Sequence, residues 1–151
     1  MRYWLMKSEP ATFGIEHLKA SPKRTSMWDG VRNYQVRNML RDDFRKGDLA
    51  FFYHSSCATP GIVGVTEILC AGYPDPTAFI RSHQHHDPKS LRENPRWYTV
   101  GVKFKRELTL ISLEQLRQHT ALASMLVLKR GSRLSITPVT PEEWAYVLAL
   151  G

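Results

Sequence analysis

Several features that define common protein classes are missing from this sequence. Its 151 residues include two cysteines, Cys57 and Cys70, which are too few for a four-thiolate zinc site or a disulfide framework. The first residues hold only a short apolar run before charge returns, and this run fits neither a signal peptide nor a membrane span. We therefore expect a reducing, cytoplasmic location and no membrane partner.

Motifs of catalysis and of nucleotide cofactors are also missing. The sequence has no Walker loop, no dinucleotide-binding fingerprint, no nucleophile elbow and no cluster of carboxylates, so no cofactor is predicted. His54 stands beside Ser55, but neighbours in an extended segment point to opposite faces, which argues against a nucleophile–base pair. An enzyme is the weaker interpretation, and its best version is a base-processing hydrolase that uses His54 with an activated water.

Acidic residues are scarce. Asp and Glu number 14 against 21 Lys and Arg, which gives a formal net charge of +7. Residues 1–46 hold ten basic and five acidic residues, whereas the remainder holds eleven and nine. Because the attraction of phosphates decays over roughly 10 Å at moderate salt, a local excess says more than a global one. We predict that the first third of the chain faces a polyanion.

What the sequence does contain is enough apolar mass for a core. A hydrophobic content of 42% and the chain length predict one domain over residues 1–151. Apolar periodicity and turn residues predict strands at 3–6, 49–53, 61–69, 97–108 and 134–138, and helices at 15–19, from about 33, at 112–119 and after 140. Without a regular strand–helix alternation, we expect an α+β fold, a curved mixed β-barrel flanked by helices.

An aromatic and basic cluster occupies a loop and the start of the second predicted helix. Its members are Trp28, Arg32, Asn33, Tyr34 and Arg37. An aromatic face can stack on a base, an amide can read a base edge, and guanidinium groups can bind phosphates. The sequence leaves open the alternative that the aromatic residues are core and the arginines are solvated.

Two predicted strand ends carry polar side chains that can converge on a pocket at the rim of the sheet. Lys7 and Ser8 follow the first strand, and Tyr53, His54 and Ser55 end the second. Hydroxyl, ammonium and imidazole groups suit hydrogen bonding to a polar ring. Ordinary turn chemistry explains the same residues and remains the alternative.

A basic stretch near the last predicted strand suits phosphate binding. Lys129, Arg130 and Arg133 surround a glycine, which permits close approach of the backbone to a phosphate. Because nucleotide-binding motifs are missing, such phosphates would belong to a polymer.

Histidines in the proline-rich segment 72–96 have metal-ligand character. His83, His85, His86 and Asp87 lie close together in sequence. Adjacent histidines seldom make a closed tetrahedral site without partners from elsewhere in the chain, so no metal site is predicted.

Longer motifs in the sequence resemble a known family. They are Met6-Lys7-Ser8-Glu9-Pro10, Trp28-Asp29-Gly30-Val31-Arg32-Asn33-Tyr34, Phe51-Phe52-Tyr53-His54-Ser55, Gly61-Ile62-Val63-Gly64, Pro95-Arg96-Trp97 and Arg133-Leu134-Ser135-Ile136-Thr137-Pro138. Over essentially its whole length the sequence resembles the EVE domain family of the PUA-like superfamily. The resemblance implies a PUA-like curved β-barrel with surrounding helices, related to the YTH domain.

The same resemblance implies a reader that holds an everted modified base in a pocket. The pocket positions that it implies are Lys7, Ser8, Trp28, Asn33, Tyr53, His54, Ser55 and Trp97, with Arg32 and Arg37 beside them. We therefore predict a non-catalytic domain that reads a modified cytosine or adenine in DNA or RNA, with a monomer favoured. The alternatives are the His54 hydrolase and a module that binds a small molecule or a protein through the same pocket.

Overall fold

The centre of the protein is a six-stranded sheet. The computed structural model describes residues 1–129 and 134–151. The strands of the sheet are β1 (Tyr3–Ser8), β2 (Thr25–Met27), β3 (Leu49–His54), β4 (Gly61–Ile68), β7 (Gly101–Ser112) and β8 (Ile136–Val139), in the order β2-β7-β4-β3-β1-β8. Strands β1 and β3 are parallel, and the other pairs are antiparallel. A separate ladder joins β5 (Tyr73–Pro74) and β6 (Tyr98–Thr99).

Alternating side chains divide the interior into two cores, one on each face of the sheet. Along β1, Trp4 and Met6 enter the first core and Leu5 enters the second. Along β3, Phe52 enters the first core and Tyr53 the second. This is the period-two pattern of a sheet that is buried on both faces. The two faces therefore have separate sets of packing partners.

Helices cover both faces. The first core is covered by α2 (Ile15–Ala20) and α3 (Tyr34–Asp42), and the second by α4 (Leu113–Arg117) and α5 (Pro141–Leu150). A short helix α1 (Pro10–Phe13) follows β1. Capping boxes open α4 and α5, at Ser112 with Gln115 and at Thr140 with Glu143, where helices are predicted from the sequence. In the part of the chain that the structure describes, no helix is long and apolar enough to span a membrane.

The α+β class is confirmed, but the sheet is open. Within residues 1–129 and 134–151, nothing pairs β2 with β8, so these strands are edges and the expected barrel is not closed. Strand β2 has only three residues, too few to extend the pairing around the molecule. The predicted strand 97–108 is also divided, because Tyr98–Thr99 pair with β5 before β7 begins. Register shifts between β4 and β7 mark bulges, which bend strands.

Candidate nucleic-acid interface

A cavity of about 580 Å³ opens on the first-core face of the sheet, at the end of β1. Its walls come from β1, α1, β2, the loop after β2 and part of a loop rich in histidine. We call residues 80–87 the histidine loop. The lining residues are Lys7, Ser8, Glu9, Thr12, Phe13, Ser26, Met27, Trp28, Asp29, Gly30, Val31, Arg32, Gln84, His85 and Ser135. The volume is within the usual range of small-molecule sites.

The end of β1 is held by a compact turn. Pro10 begins α1 directly after the strand, and the Ser8 hydroxyl donates a 2.6 Å hydrogen bond to the Phe13 carbonyl. The Ser55 amide donates to the Ser8 carbonyl at 2.9 Å, which ties the ends of β1 and β3 together. Glu9 precedes α1 and makes no side-chain capping bond. Its exposed carboxylate on the cavity wall is thus not used for capping.

Trp28 is fixed in the wall by its backbone and its ring. Its amide donates to the Val100 carbonyl at 2.9 Å, and its carbonyl accepts a short hydrogen bond from the Thr99 hydroxyl. The indole packs edge-on against Phe52, with ring centres 5.4 Å apart, and is 7% exposed. A buried aromatic held at three points keeps its orientation without a ligand, which lowers the entropy cost of binding.

The loop after Trp28 is organised by the buried carboxylate of Asp75. Asp75 accepts hydrogen bonds from the Gly30 amide at 3.0 Å, the Arg32 guanidinium at 3.2 Å and the Thr77 amide at 2.8 Å. Burial opposes ionisation of Asp75, but a hydrogen bond from the Thr77 hydroxyl at 2.6 Å, together with these three, outweighs it and leaves the pKa of Asp75 below the usual value. Gly30 has φ of +82°, and a Cβ there would lie 2.5 Å from the His85 ring.

Three of the nine predicted base-binding residues line the cavity, namely Lys7, Ser8 and Trp28. Burial lowers the pKa of Lys7, whose Nζ also lies 5.9 Å from the centre of the Tyr53 ring. The predicted phosphate ligand Arg32 joins them on the wall. Its guanidinium is occupied by Asp75 and by the His85 carbonyl, so it organises the loop rather than standing free for a phosphate.

The residues at the end of β3 do not line the cavity. Tyr53 is 3% exposed in the second core, because it alternates with Phe52. His54 Nε2 accepts a hydrogen bond from the Ile15 amide at 3.1 Å, and burial lowers the pKa of its ring. Ser55 contributes its amide to the turn described above. These positions support the site and do not form its wall.

Asn33, Tyr34 and Trp97 also lie outside the cavity lining. Asn33 is the N-cap of α3 and accepts a hydrogen bond from the Val36 amide at 3.0 Å. Tyr34 is 52% exposed and stacks on Trp97, with ring centres 4.8 Å apart. The Arg37 guanidinium lies 4.9 Å from the centre of the Tyr34 ring and donates to the Arg96 carbonyl. Tyr34, Trp97 and Arg37 form an aromatic and basic stack beside the cavity, and the wall residue Arg32 touches it with its guanidinium 5.4 Å from the centre of the Trp97 ring.

The remaining predicted phosphate ligands lie elsewhere. Lys129 is exposed at the end of the first described segment, and Arg130 and Arg133 fall outside the described residues. Exposed cations on segments that lead into the cavity wall are Lys23 and Arg24 before β2, and Arg81 before Gln84. Sequence reasoning did not single out these three.

Phe13 and the histidine loop are wall elements that sequence reasoning missed. Phe13 is the last residue of α1 and lines the cavity, but it belongs to no recognisable sequence motif. The histidine loop reaches the wall because Arg32 binds the His85 carbonyl and the His85 ring lies against Gly30. The signal in the sequence was the clustering of histidines in a long loop, without any indication of the partner.

Comparisons with known proteins identify the family of this chain. The EVE domain model matches residues 2–150. Thymocyte nuclear protein 1 of Mus musculus is 47% identical over 166 aligned residues, covering 98% of this chain and 73% of that protein. A crystal structure from Pseudomonas syringae aligns with a TM-score of 0.91 at 45% identity, covering 98% of each chain. Human THYN1 in complex with 5-methylcytosine-containing DNA aligns with a TM-score of 0.93 at 44% identity, covering 99% of this chain and 97% of that one. The chain therefore belongs to the EVE domain family.

Proposed function

We propose that the chain is a non-catalytic DNA-binding domain that holds an everted, modified cytosine in the cavity at the end of β1. The observation that carries the proposal is an open cavity of about 580 Å³ that combines an immobilised indole with several polar groups. A relative of 44% identity has been crystallised with 5-methylcytosine-containing DNA, and this supports the choice of ligand.

Stacking supplies part of the free energy that eversion of a base requires. Removing a base from a duplex costs a few kcal/mol. Stacking on an aromatic side chain returns roughly 1–3 kcal/mol. Trp28 and Phe13 provide the aromatic surface of the cavity wall. Because stacking does not cover the whole cost, the remainder comes from hydrogen bonds to the base and from contacts with the backbone.

The polar groups of the wall suit the Watson–Crick edge of cytosine, which has one amino donor and two acceptors. The Glu9 carboxylate is available to accept from the amino group, a pairing that acidic side chains make with this base. Lys7 also lines the wall, and its ammonium becomes a donor to the acceptors when Nζ turns away from the Tyr53 ring, whose centre lies 5.9 Å from it. The Ser8 hydroxyl spends its proton on the Phe13 carbonyl and keeps its lone pairs.

A methyl group on the base adds apolar contact with the wall. The gain is about 0.8 kcal/mol for one buried carbon, which corresponds to roughly fourfold in affinity. We therefore expect modest discrimination between 5-methylcytosine and cytosine by contact alone. The net charge of +7 adds attraction for phosphates that weakens as salt is added.

The geometry around His54 favours a binding role over hydrolysis. Its Nε2 accepts from the Ile15 amide, so the neutral ring carries its proton on Nδ1 and has no free lone pair to act as a base. The cavity lining does not include it. We propose that His54 positions the start of α2 behind the cavity.

Fluorescence anisotropy with short labelled duplexes tests the proposal. Each duplex carries one cytosine or one 5-methylcytosine, and matched RNA duplexes form a second series. We expect the 5-methylcytosine DNA to bind best and Trp28→Ala to weaken it by about 5- to 150-fold, the equivalent of lost stacking. Binding of all duplexes alike, unchanged in the variant, would reject the base-reading role and leave a basic surface.

A charge-matched pair of variants guards against misfolding of Trp28→Ala. Glu9→Gln removes an exposed carboxylate on the wall, and Glu16→Gln removes an exposed one on α2 that does not line the cavity. Both raise the net charge by one, so attraction of phosphates changes equally. Only Glu9→Gln is expected to reduce the preference for cytosine-type bases, by about tenfold for one charged hydrogen bond.

A further inference from the structure

Three side chains from two distant parts of the sequence meet at the edge of the cavity. The Asp29 Oδ2 atom lies 3.4 Å from His85 Nδ1 and 3.7 Å from His83 Nε2. One ligand atom from each of the three residues lies within 4.8 Å of the others. Asp29 is the partner from elsewhere in the chain that adjacent histidines need to make a metal site.

We propose that Asp29, His83 and His85 bind a divalent transition-metal ion of the zinc class. Imidazole nitrogens and a carboxylate are ligands that zinc, cobalt and nickel accept. Tetrahedral bonds of about 2.1 Å place neighbouring ligand atoms roughly 3.4 Å apart. The separations from Asp29 Oδ2 of 3.4 and 3.7 Å are close to this value before any adjustment.

A second observation concerns His85 Nδ1. Among the described residues it is the one side-chain nitrogen or oxygen that is fully buried without a hydrogen-bond partner. It faces Asp29 at 3.4 Å and still makes no hydrogen bond with it. A buried polar atom without a partner costs roughly 1–3 kcal/mol. Coordination of a metal would satisfy its lone pair.

Binding requires one rearrangement that can be observed. His83 Nδ1 accepts a hydrogen bond from the His85 amide at 3.0 Å, so a neutral His83 ring carries its proton on Nε2. Coordination through Nε2 moves that proton to Nδ1, and the His85 amide loses its acceptor. The backbone amide resonance of His85 should therefore shift when metal is added.

The position of the cluster gives the ion a role in shaping the cavity. Asp29 lies between Trp28 and Gly30 on the wall, whereas both histidines belong to the histidine loop. A bound ion would fix that loop to the wall. The three side chains are 29% or 30% exposed, so the cluster lies near the protein surface rather than deep in the core.

Calorimetric titration of the tag-free protein with zinc chloride tests the site. We expect one ion per chain, and Asp29→Asn, His83→Ala and His85→Ala should each weaken binding by at least about tenfold, since even indirect partners of a metal contribute that much. His86→Ala is the matched control, because His86 lies in the same loop but outside the cluster. Its affinity should equal that of the unmodified chain.

Two further readouts make the result independent of folding defects. Cobalt(II) bound to the unmodified chain should give the visible absorption of a four-coordinate site, and zinc should raise the Tm of the unmodified chain and of His86→Ala but not of the three ligand variants. No stoichiometric binding, or binding that His86→Ala reduces as much as His85→Ala does, would overturn the proposal.

Discussion

The two faces of the sheet use aromatic side chains for different purposes. On the second-core face, Trp144 stacks on Phe51 with ring centres 3.9 Å apart and on Tyr3 at 4.7 Å, within the second core. On the first-core face, Trp28 has the same burial but forms part of a cavity wall. Trp144 is 5% exposed and Trp28 is 7% exposed. Exposure alone therefore does not separate a core residue from a residue that lines a cavity.

What separates the faces is the polar content around the aromatic ring. Near Trp28, buried Asp75 binds the backbone of Gly30, and Lys7 and Glu9 stand on the same wall. The second core packs apolar and aromatic residues under α4 and α5, and the buried carboxylate of Glu143 beside Trp144 accepts from the Thr140 amide in the cap of α5. Buried polar groups cost free energy unless they are bonded, so they are retained where a site needs them. Substitutions on the second-core face should change stability alone, and those on the first-core face should change binding as well.

The largest expected effect is on the second-core face. Trp144→Ala removes an aromatic ring stacked on two others and should lower the free energy of unfolding by about 3–5 kcal/mol. Urea denaturation measures the loss. The affinity of the fraction that remains folded for 5-methylcytosine DNA should not change, and a reduced affinity would show that the two faces are coupled.

The next largest effect is expected at Asp75. Asp75→Asn preserves shape but weakens bonds to Arg32, Gly30 and Thr77, at a cost of about 1.5–3 kcal/mol. The pKa of Asp75 is lower in the folded state than in the unfolded state, so the carboxylate stabilises the fold at pH values above the unfolded pKa of about 3.9. This stabilisation is lost as the pH falls through the folded-state pKa. Acid denaturation should therefore be less steep in the variant. An unchanged acid transition would mean that other carboxylates dominate it.

A smaller effect is expected at Gly30. An L-residue in the left-handed region costs about 1–2 kcal/mol. Gly30→Ala also brings a Cβ within 2.5 Å of the His85 ring, which must move. The change in stability should be smaller than for Trp144→Ala, yet the affinity for 5-methylcytosine DNA should fall. Gly47→Ala is the control, because Gly47 has φ of +92° with open space around it. Equal losses of affinity in both would argue against a role for the His85 contact.

The smallest effect is expected at His54. Burial lowers its folded-state pKa, against a weaker opposing effect of Glu16. The fold should therefore lose stability as the pH falls from about 6.5 toward that value. His54→Gln keeps an acceptor for the Ile15 amide and should reduce this loss, with a change below about 1 kcal/mol at neutral pH. Urea denaturation at neutral and at mildly acidic pH measures the change in stability and its dependence on pH. If the variant loses as much stability on acidification as the unmodified chain does, a group other than His54 causes the loss.

Local sequence signals predict most of the secondary structure. Strands β1, β3 and β4 and the capped starts of α4 and α5 are close to their predicted positions, because alternation and capping act over a few residues. The helix predicted from about residue 33 is also confirmed, as α3, and it buries Val36 and Leu40. The prediction that the sheet closes into a barrel was wrong, because closure depends on contacts between strands far apart in sequence.

The site was harder to predict because it depends on the choice of face. Alternation shows that Phe52 and Tyr53 point in opposite directions, but only the packing of the helices decides which face opens as a cavity. The meeting of Asp29 with His83 and His85 joins residues more than fifty positions apart and leaves no local pattern. Asn33 illustrates a third case, in which a side chain that suits base recognition serves as a helix cap.

The indole resonances of the four tryptophans offer the most direct test of base binding in the cavity. Trp28 lines the cavity, whereas Trp144 lies in the second core on the opposite face. The indole N–H of Trp4 donates a hydrogen bond to Asp48, and that of Trp97 donates one to Asp87. In a heteronuclear NMR titration with 5-methylcytosine DNA, the Trp28 indole should shift strongly and the Trp144 indole should not. A shift at Trp97 or Trp144 with Trp28 unchanged would contradict binding of the base in this cavity.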